Sequence, residues 1–258
     1  MAYLIFGLAA LLLGGLIWHY RRRSRPISPP ATTDYRPLLQ EHVAYYRALS
    51  DDDKKKFEER VIQFLGQTRI EGVGTTVNEL DKVLVASSAV IILFGFKDWS
   101  FYRLTTVLLY EDRFNAAFET DGKGRNILGM VGEGGALQST MALSKPALHE
   151  GFADESSTEN TGIHEFVHLL DKADGATDGT PRFFLDRNHV KPWLQLIHAT
   201  LADIQANRSD IDPYALTNEA EFFAVVSEYF FKRPDLLKEK HPELFARLEE
   251  IFQQKLGD

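Results

Sequence analysis

The chain has 258 residues, 44% hydrophobic and 12% aromatic, enough to bury a sizeable core, which excludes disorder along the whole length. Its net charge is −8; Arg21, Arg22, Arg23 and Arg25 are the only charged side chains in the first 25 positions, so the remainder carries 25 bases against 37 acids, a net of −12. A body that acidic makes a poor nucleic-acid surface, and with no cysteine any metal must be held by His, Asp or Glu.

Residues 2–18 contain no charge, a length at the short end of the roughly 17–25 residues that span a bilayer. The arginines follow this run instead of preceding it, as expected for an uncleaved anchor and not for a signal peptide. Trp18 and Tyr20 are aromatics suited to a membrane interface. The expectation is a single transmembrane helix over residues 1–20. The positive-inside rule then places the rest of the chain on the cytoplasmic side of a bacterial inner membrane. Residues 21–37, with prolines at 26, 29, 30 and 37, read as an extended tether. Residues 38–258 read as one domain with a helical part over 38–100 and a catalytic part over 101–258.

Apolar residues at helical spacing over 38–65 predict helices, broken at Ser50-Asp51-Asp52-Asp53, where Ser50 can cap the second. The run Asp51-Asp52-Asp53-Lys54-Lys55-Lys56 is a solvated helix start. Residues 78–94 predict a buried helix, although Val90-Ile91-Ile92 also suits a strand. Residues 104–110 and 138–143 predict strands. Between them six glycines over 122–135 match no dinucleotide or phosphate-loop spacing and read as a flexible connection. The apolar spacing of residues 236–252 predicts one terminal helix.

Residues 164–168 read His-Glu-Phe-Val-His. Ser156 and Glu159 fit a capping box that would start a helix there, and Gly175 would stop it. On a helix His164 and His168 lie one turn apart, so both imidazoles can reach one metal ion. Glu165, offset by about 100°, can meet a metal-bound water without ligating the metal. This is the H-E-x-x-H pattern of zinc metallopeptidases.

A catalytic zinc takes three protein ligands. Asp174 stands where metzincin-type enzymes place their third ligand, but Asp171 occupies the glycine position of that pattern and no methionine lies downstream. Asp171 shares the face of His164 and His168 and suits orienting an imidazole. The remaining source is a later buried helix, capped by Asn218, that offers Glu221 in its first turn and Glu228 seven residues on. Glu221 among Phe222 and Phe223 is favoured, with Glu228 as the alternative ligand or a supporting group; Glu219 belongs to the solvated helix start. His42, His189, His198 and His241 read as ordinary surface or capping residues, and Trp99 and Trp193 as core or rim.

The segments His164-Glu-Phe-Val-His168 and Tyr214-Ala-Leu-Thr-Asn-Glu-Ala-Glu221-Phe-Phe-Ala-Val-Val-Ser-Glu-Tyr-Phe-Phe231 resemble the Mlc titration factor A family of zinc peptidases, and the catalytic segments of anthrax lethal factor. The resemblance is strong over residues 160–235 and looser back to residue 38. It implies an α+β, gluzincin-like domain, mainly helical with a small sheet. It also implies Glu221 as third ligand of a single Zn2+, and Tyr214 as the group that steadies the transition state. Some members carry a further zinc-contacting histidine upstream of the motif; His149 is the nearby residue, and its surroundings do not match.

The function expected is hydrolysis of a peptide or protein substrate by a zinc-bound water, with Glu165 as general base and Tyr214 donating to the oxyanion. The strand at 138–143 would offer its edge to an extended peptide. The alternative is a membrane-tethered protein that sequesters a transcriptional repressor, the zinc being structural. No nucleic-acid partner is expected.

Overall fold

The computed structural model describes residues 33–97, 100, 101, 103–113, 129–131 and 139–257. The expected anchor, residues 21–32 of the tether, Trp99 and most of the glycine-rich connection lie outside these residues. Among the described residues no helix is long and apolar enough to cross a membrane.

The chain opens with α1 (Arg36–His42), α2 (Ala44–Ala48) and α3 (Asp51–Gln67). Helix α1 starts inside the stretch read as a tether because Pro37 sits in its first turn, where a missing amide hydrogen costs nothing. Ser50 caps α3 by accepting from the Asp53 amide. The Asp-Lys run stays in solvent as Asp52–Lys55 and Asp53–Lys56 pairs.

Residues 78–94 form a helix, α4 (Glu79–Leu93), not a strand; Asn78 and Asp81 close a reciprocal capping box at its start. Burial on nearly every side outweighs the β preference of Val90, Ile91 and Ile92. A second helix, α6 (Thr161–Asp171), crosses it closely through Gly162, where a Cβ would lie 2.2 Å from Ser88 Oγ.

The sheet holds β1 (Arg69–Val73), β2 (Thr106–Tyr110), β3 (Gly129–Val131) and β4 (Thr140–Ser144) in the order β1-β2-β4-β3. β1, β2 and β4 are parallel, and β3 runs antiparallel to β4. Two points correct the sequence reading. Residues 129–131, assigned to the glycine-rich connection, are a strand. That strand takes one side of β4 and β2 takes the other, so the edge expected at 138–143 belongs instead to β3. Val107, Leu109, Met141 and Leu143 turn into the core against the helices.

Beyond β4 come α5 (Lys145–Ala153), α6, α7 (Arg187–Gln205), α8 (Glu219–Lys232), α9 (Pro234–Lys240) and α10 (Pro242–Phe252). The terminal run expected as one helix is two, since Pro242 lacks an amide hydrogen and forces His241 out of helical geometry (φ −134°, ψ 60°). One continuous core runs from Tyr35 to Phe252 and includes Trp193, whose indole N–H donates to the Gly179 carbonyl at 2.7 Å. The molecule is mostly helical with a small mixed sheet, an α+β architecture.

Candidate metal centre

Helix α6 begins at Thr161, later than the Ser156–Glu159 box would start it. The Ser156 hydroxyl and amide both donate to Asp154 Oδ1 (2.6 and 2.9 Å), which leaves capping to Asn160, whose Oδ1 accepts from the Ile163 amide at 3.0 Å. A single 3₁₀ turn (Lys172–Asp174) follows the helix and ends at Gly175, as expected. Ile163, Phe166, Val167 and Leu170 bury one side of α6, and this leaves His164 and His168 facing α8.

There the two imidazoles meet a carboxylate. His164 Nε2 lies 3.1 Å from His168 Nε2 and 2.9 Å from Glu221 Oε2, which is 3.5 Å from His168 Nε2. Asn218 caps α8 by accepting from the Glu221 amide at 2.9 Å, so the cap places Glu221 in the first turn. Among the described residues these three are the one group of His, Asp and Glu side chains whose ligand atoms lie within 4.8 Å of one another. Asp174 is occupied by the amides of Ala176 and Arg182 and does not join them.

The residues fit a metal on the chemistry of their donors. His164 Nδ1 donates to Glu228 Oε1 at 2.6 Å, so in the neutral imidazole Nε2 carries the lone pair. That lone pair points at a second imidazole nitrogen and a carboxylate oxygen. Acceptors converging in this way repel unless a proton or a cation sits among them, and two imidazoles with one carboxylate is a zinc donor set. Glu228, open as ligand or support from the sequence, is the support: its second oxygen accepts from the Asn160 amide at the start of α6.

The charges agree. Burial works against a protonated His164, yet the carboxylates of Glu228, Glu221 and Glu165 push its pKa well above the ordinary imidazole value. Glu221 is partly buried, which raises its pKa, but the two imidazoles outweigh this and hold it far below the usual carboxylate range. Glu165, 6% exposed, is raised by burial. Tyr214 stands on a 3₁₀ turn (Pro213–Leu216) with its ring 6.0 Å from that of His164 and half its surface open. Burial and the charges of Glu221 and Glu165 raise its phenol, so it keeps its proton.

A cleft of about 490 Å³ opens over the group, lined by Gly129, Met130, Glu165, Lys172, Asp178 and Tyr214 as well as His164, His168 and Glu221. Asp171 does not bond an imidazole as the sequence reading supposed. Its Oδ2 accepts from the Gly179 amide at 2.7 Å, and burial pushes its pKa up to about 6 despite that bond. His149 is taken by Asp81 at 2.6 Å, away from the centre. Gly129, Lys172 and Asp178 carried no signal in the sequence, since each reaches the cleft only through the fold.

Residues 17–253 match the family described as glucose-regulated metallo-peptidase M90. The chain is 26% identical over 259 residues to the uncharacterized protein slr2042 of Synechocystis sp., an alignment spanning 96% of this chain and 94% of that protein. It is 29% identical over 248 residues to the Mlc titration factor A of Enterobacter sp. (strain 638), spanning 90% of each. With the Mlc titration factor A of Escherichia coli (strain 55989 / EAEC) the identity is 32% over 161 residues, 57% of this chain and 58% of that protein. With two imidazoles and a carboxylate converging on one point, the chain belongs to the glucose-regulated metallo-peptidase M90 family.

Proposed function

We propose that the protein is a zinc-dependent peptidase of the gluzincin type, in which His164, His168 and Glu221 hold one zinc ion, Glu165 is the general base and Tyr214 an oxyanion donor. The observation that carries this reading is the convergence of three acceptor atoms beside a buried carboxylate, at the floor of a cleft. When bound, zinc supplies a Lewis acid that polarises the scissile carbonyl and acidifies water. Glu165 takes the proton of the attacking water on its carboxylate and returns it to the leaving amine; a carboxyl raised by burial is suited to both transfers. Tyr214 holds its phenolic proton for the carbonyl oxygen as negative charge builds there. Glu228 keeps the Nδ1 proton on His164, so that Nε2 faces the metal position.

The substrate is an extended peptide or protein segment that pairs with the side of β3 away from β4, a sheet edge among the described residues that borders the cleft through Gly129 and Met130. Residues 1–20 anchor the chain in a bacterial inner membrane with the catalytic residues on the cytoplasmic side; the uncharged run 2–18 followed by Arg21, Arg22 and Arg23 supports this. The name Mlc titration factor A belongs to relatives of this chain. A transcriptional repressor is on that ground a protein to test as partner or substrate.

The test is hydrolysis of a mixed peptide library by the zinc-loaded full-length protein beside Glu165→Gln. Cleavage by the wild type, lost in the variant while zinc remains bound, is the expected result. A zinc-loaded wild type that cleaves nothing would sink the peptidase reading and leave that of a tethered binding protein.

A further inference from the structure

The edge strand meets the site through its first residue. Gly129 has ordinary extended backbone, so nothing in its conformation calls for glycine; the requirement is spatial. A Cβ placed there would lie 2.4 Å from Cγ of Glu165 and 2.6 Å from its Cδ and Oε1. Unstrained carbon contacts begin at about 3.5 Å, so the overlap is on the order of 1 Å. The three nearest atoms all belong to Glu165.

Something would have to move, and the surroundings decide what. β3 is tied to β4 through the pairs Gly129–Leu143, Met130–Ala142 and Val131–Met141. The backbone of α6 is fixed by Ile163, Phe166, Val167 and Leu170, all buried. The side chain of Glu165 is the soft partner. Among the described residues no hydrogen bond fixes its carboxylate, which feels its surroundings through burial and the charges of His164, His168, Glu221 and Glu228. Its direction is therefore set by contact, and from across the cleft the bare backbone of β3 at Gly129 lies against it.

We infer that Gly129 is a positioning residue: its missing side chain lets the β3 backbone close on Glu165 and hold that carboxylate in its cleft-facing rotamer. The inference rests on Glu165 being the base. A methyl group at 129 displaces the carboxylate while the ligand atoms of His164, His168 and Glu221, none of which is among the three atoms nearest to it, stay in place.

The experiment compares full-length wild type, Gly129→Ala, Glu165→Ala and the double variant. In the zinc-loaded proteins Gly129→Ala should lower kcat by about 10²-fold, the usual effect of a 1 Å misplacement, with KM and zinc affinity within about threefold of wild type. In the metal-free proteins Gly129→Ala should lower the melting temperature by about 2–4 °C, and this loss should vanish when Glu165 is already alanine. Retention of more than a third of the wild-type kcat by Gly129→Ala would overturn the inference. So would an equal thermal loss in both backgrounds, which would mean that the methyl group clashes with something other than Glu165. A wild type without peptidase activity would instead refute the proposed function, and the metal-free comparison would still decide the contact.

Discussion

His164 is the most constrained side chain of the centre, because both of its nitrogens are committed. Nδ1 gives its proton to Glu228, and Glu228 also accepts the Asn160 amide, so one carboxylate aligns the imidazole and the start of the helix that carries it. Replacing Glu228 by Gln keeps the shape but removes the charge, and the amide can present its NH2 to the ring instead of an oxygen. Glu228→Gln should weaken zinc binding by about 10–100-fold with helix content unchanged, as read by competition with a chromophoric chelator. Unchanged zinc affinity would show that Glu228 acts only as a cap for α6. At this scale the H-E-x-x-H spacing was legible in the sequence because helical periodicity alone brings i and i+4 together. The partner of Nδ1 was not, since Glu221 and Glu228 share one face of α8 and only the docking of α8 on α6 separates their roles.

Elements were legible where a local group ends them. Ser50, Asn78 and Asn218 each cap the helix that the apolar spacing announces. The start of α6 was misread because Ser156 and Glu159 satisfy the spacing of a capping box, while Asp154 competes for Ser156 and Glu228, 68 residues away, holds the Asn160 amide. Asp81 shows how an element terminus can couple to its neighbours. Fully buried in the first turn of α4, it accepts from Lys145 Nζ at 2.9 Å, from His149 Nε2 at 2.6 Å and from the Asn78 amide at 2.8 Å. Burial raises its pKa, but Lys145, the amide and His149 outweigh this and hold it below the ordinary value. A carboxyl lowered in the folded state contributes stability that is present above its unfolded value and lost as pH falls through the folded one. The urea midpoint of wild type should therefore exceed that of Asp81→Asn at neutral pH, with the gap narrowing below about pH 4. A gap independent of pH would mean that packing, not charge, joins α4 to α5.

The whole molecule converts these local features into a site. His164, His168 and Glu165 come from α6, Glu221 and Glu228 from α8, Tyr214 from the turn before it, and Gly129 from the sheet edge. A metal held as proposed between α6 and α8 would cross-link two elements that are 57 residues apart at His164 and Glu221. At zinc about a hundredfold above its dissociation constant, mass action adds about 2.7 kcal/mol to stability, on the order of 5–10 °C in melting temperature for a chain of this size. Chelation should lower the melting temperature by that amount and leave the far-ultraviolet circular dichroism at 25 °C unchanged, because the core from Tyr35 to Phe252 does not pass through the metal. Loss of helical signal on chelation would mean that the metal is needed for the fold itself.

By itself the sequence determined what local periodicity and composition can carry: the two histidines one turn apart with a glutamate beside the first, the caps of α3 and α8, the buried character of α4, and strands near 106–110 and 140–144. It also limited metal ligands to His, Asp and Glu by lacking cysteine. Only the tertiary structure decided that β3 and not β4 forms the sheet edge, that Glu228 supports His164 while Asp171 turns to Gly179, and that a glycine from the sheet lies against Glu165. The reason is range: a cap or a helical face is settled by atoms within four residues, whereas these contacts join residues 8 to 64 positions apart or strands from separate segments, and packing selects among partners that the local chain leaves equivalent.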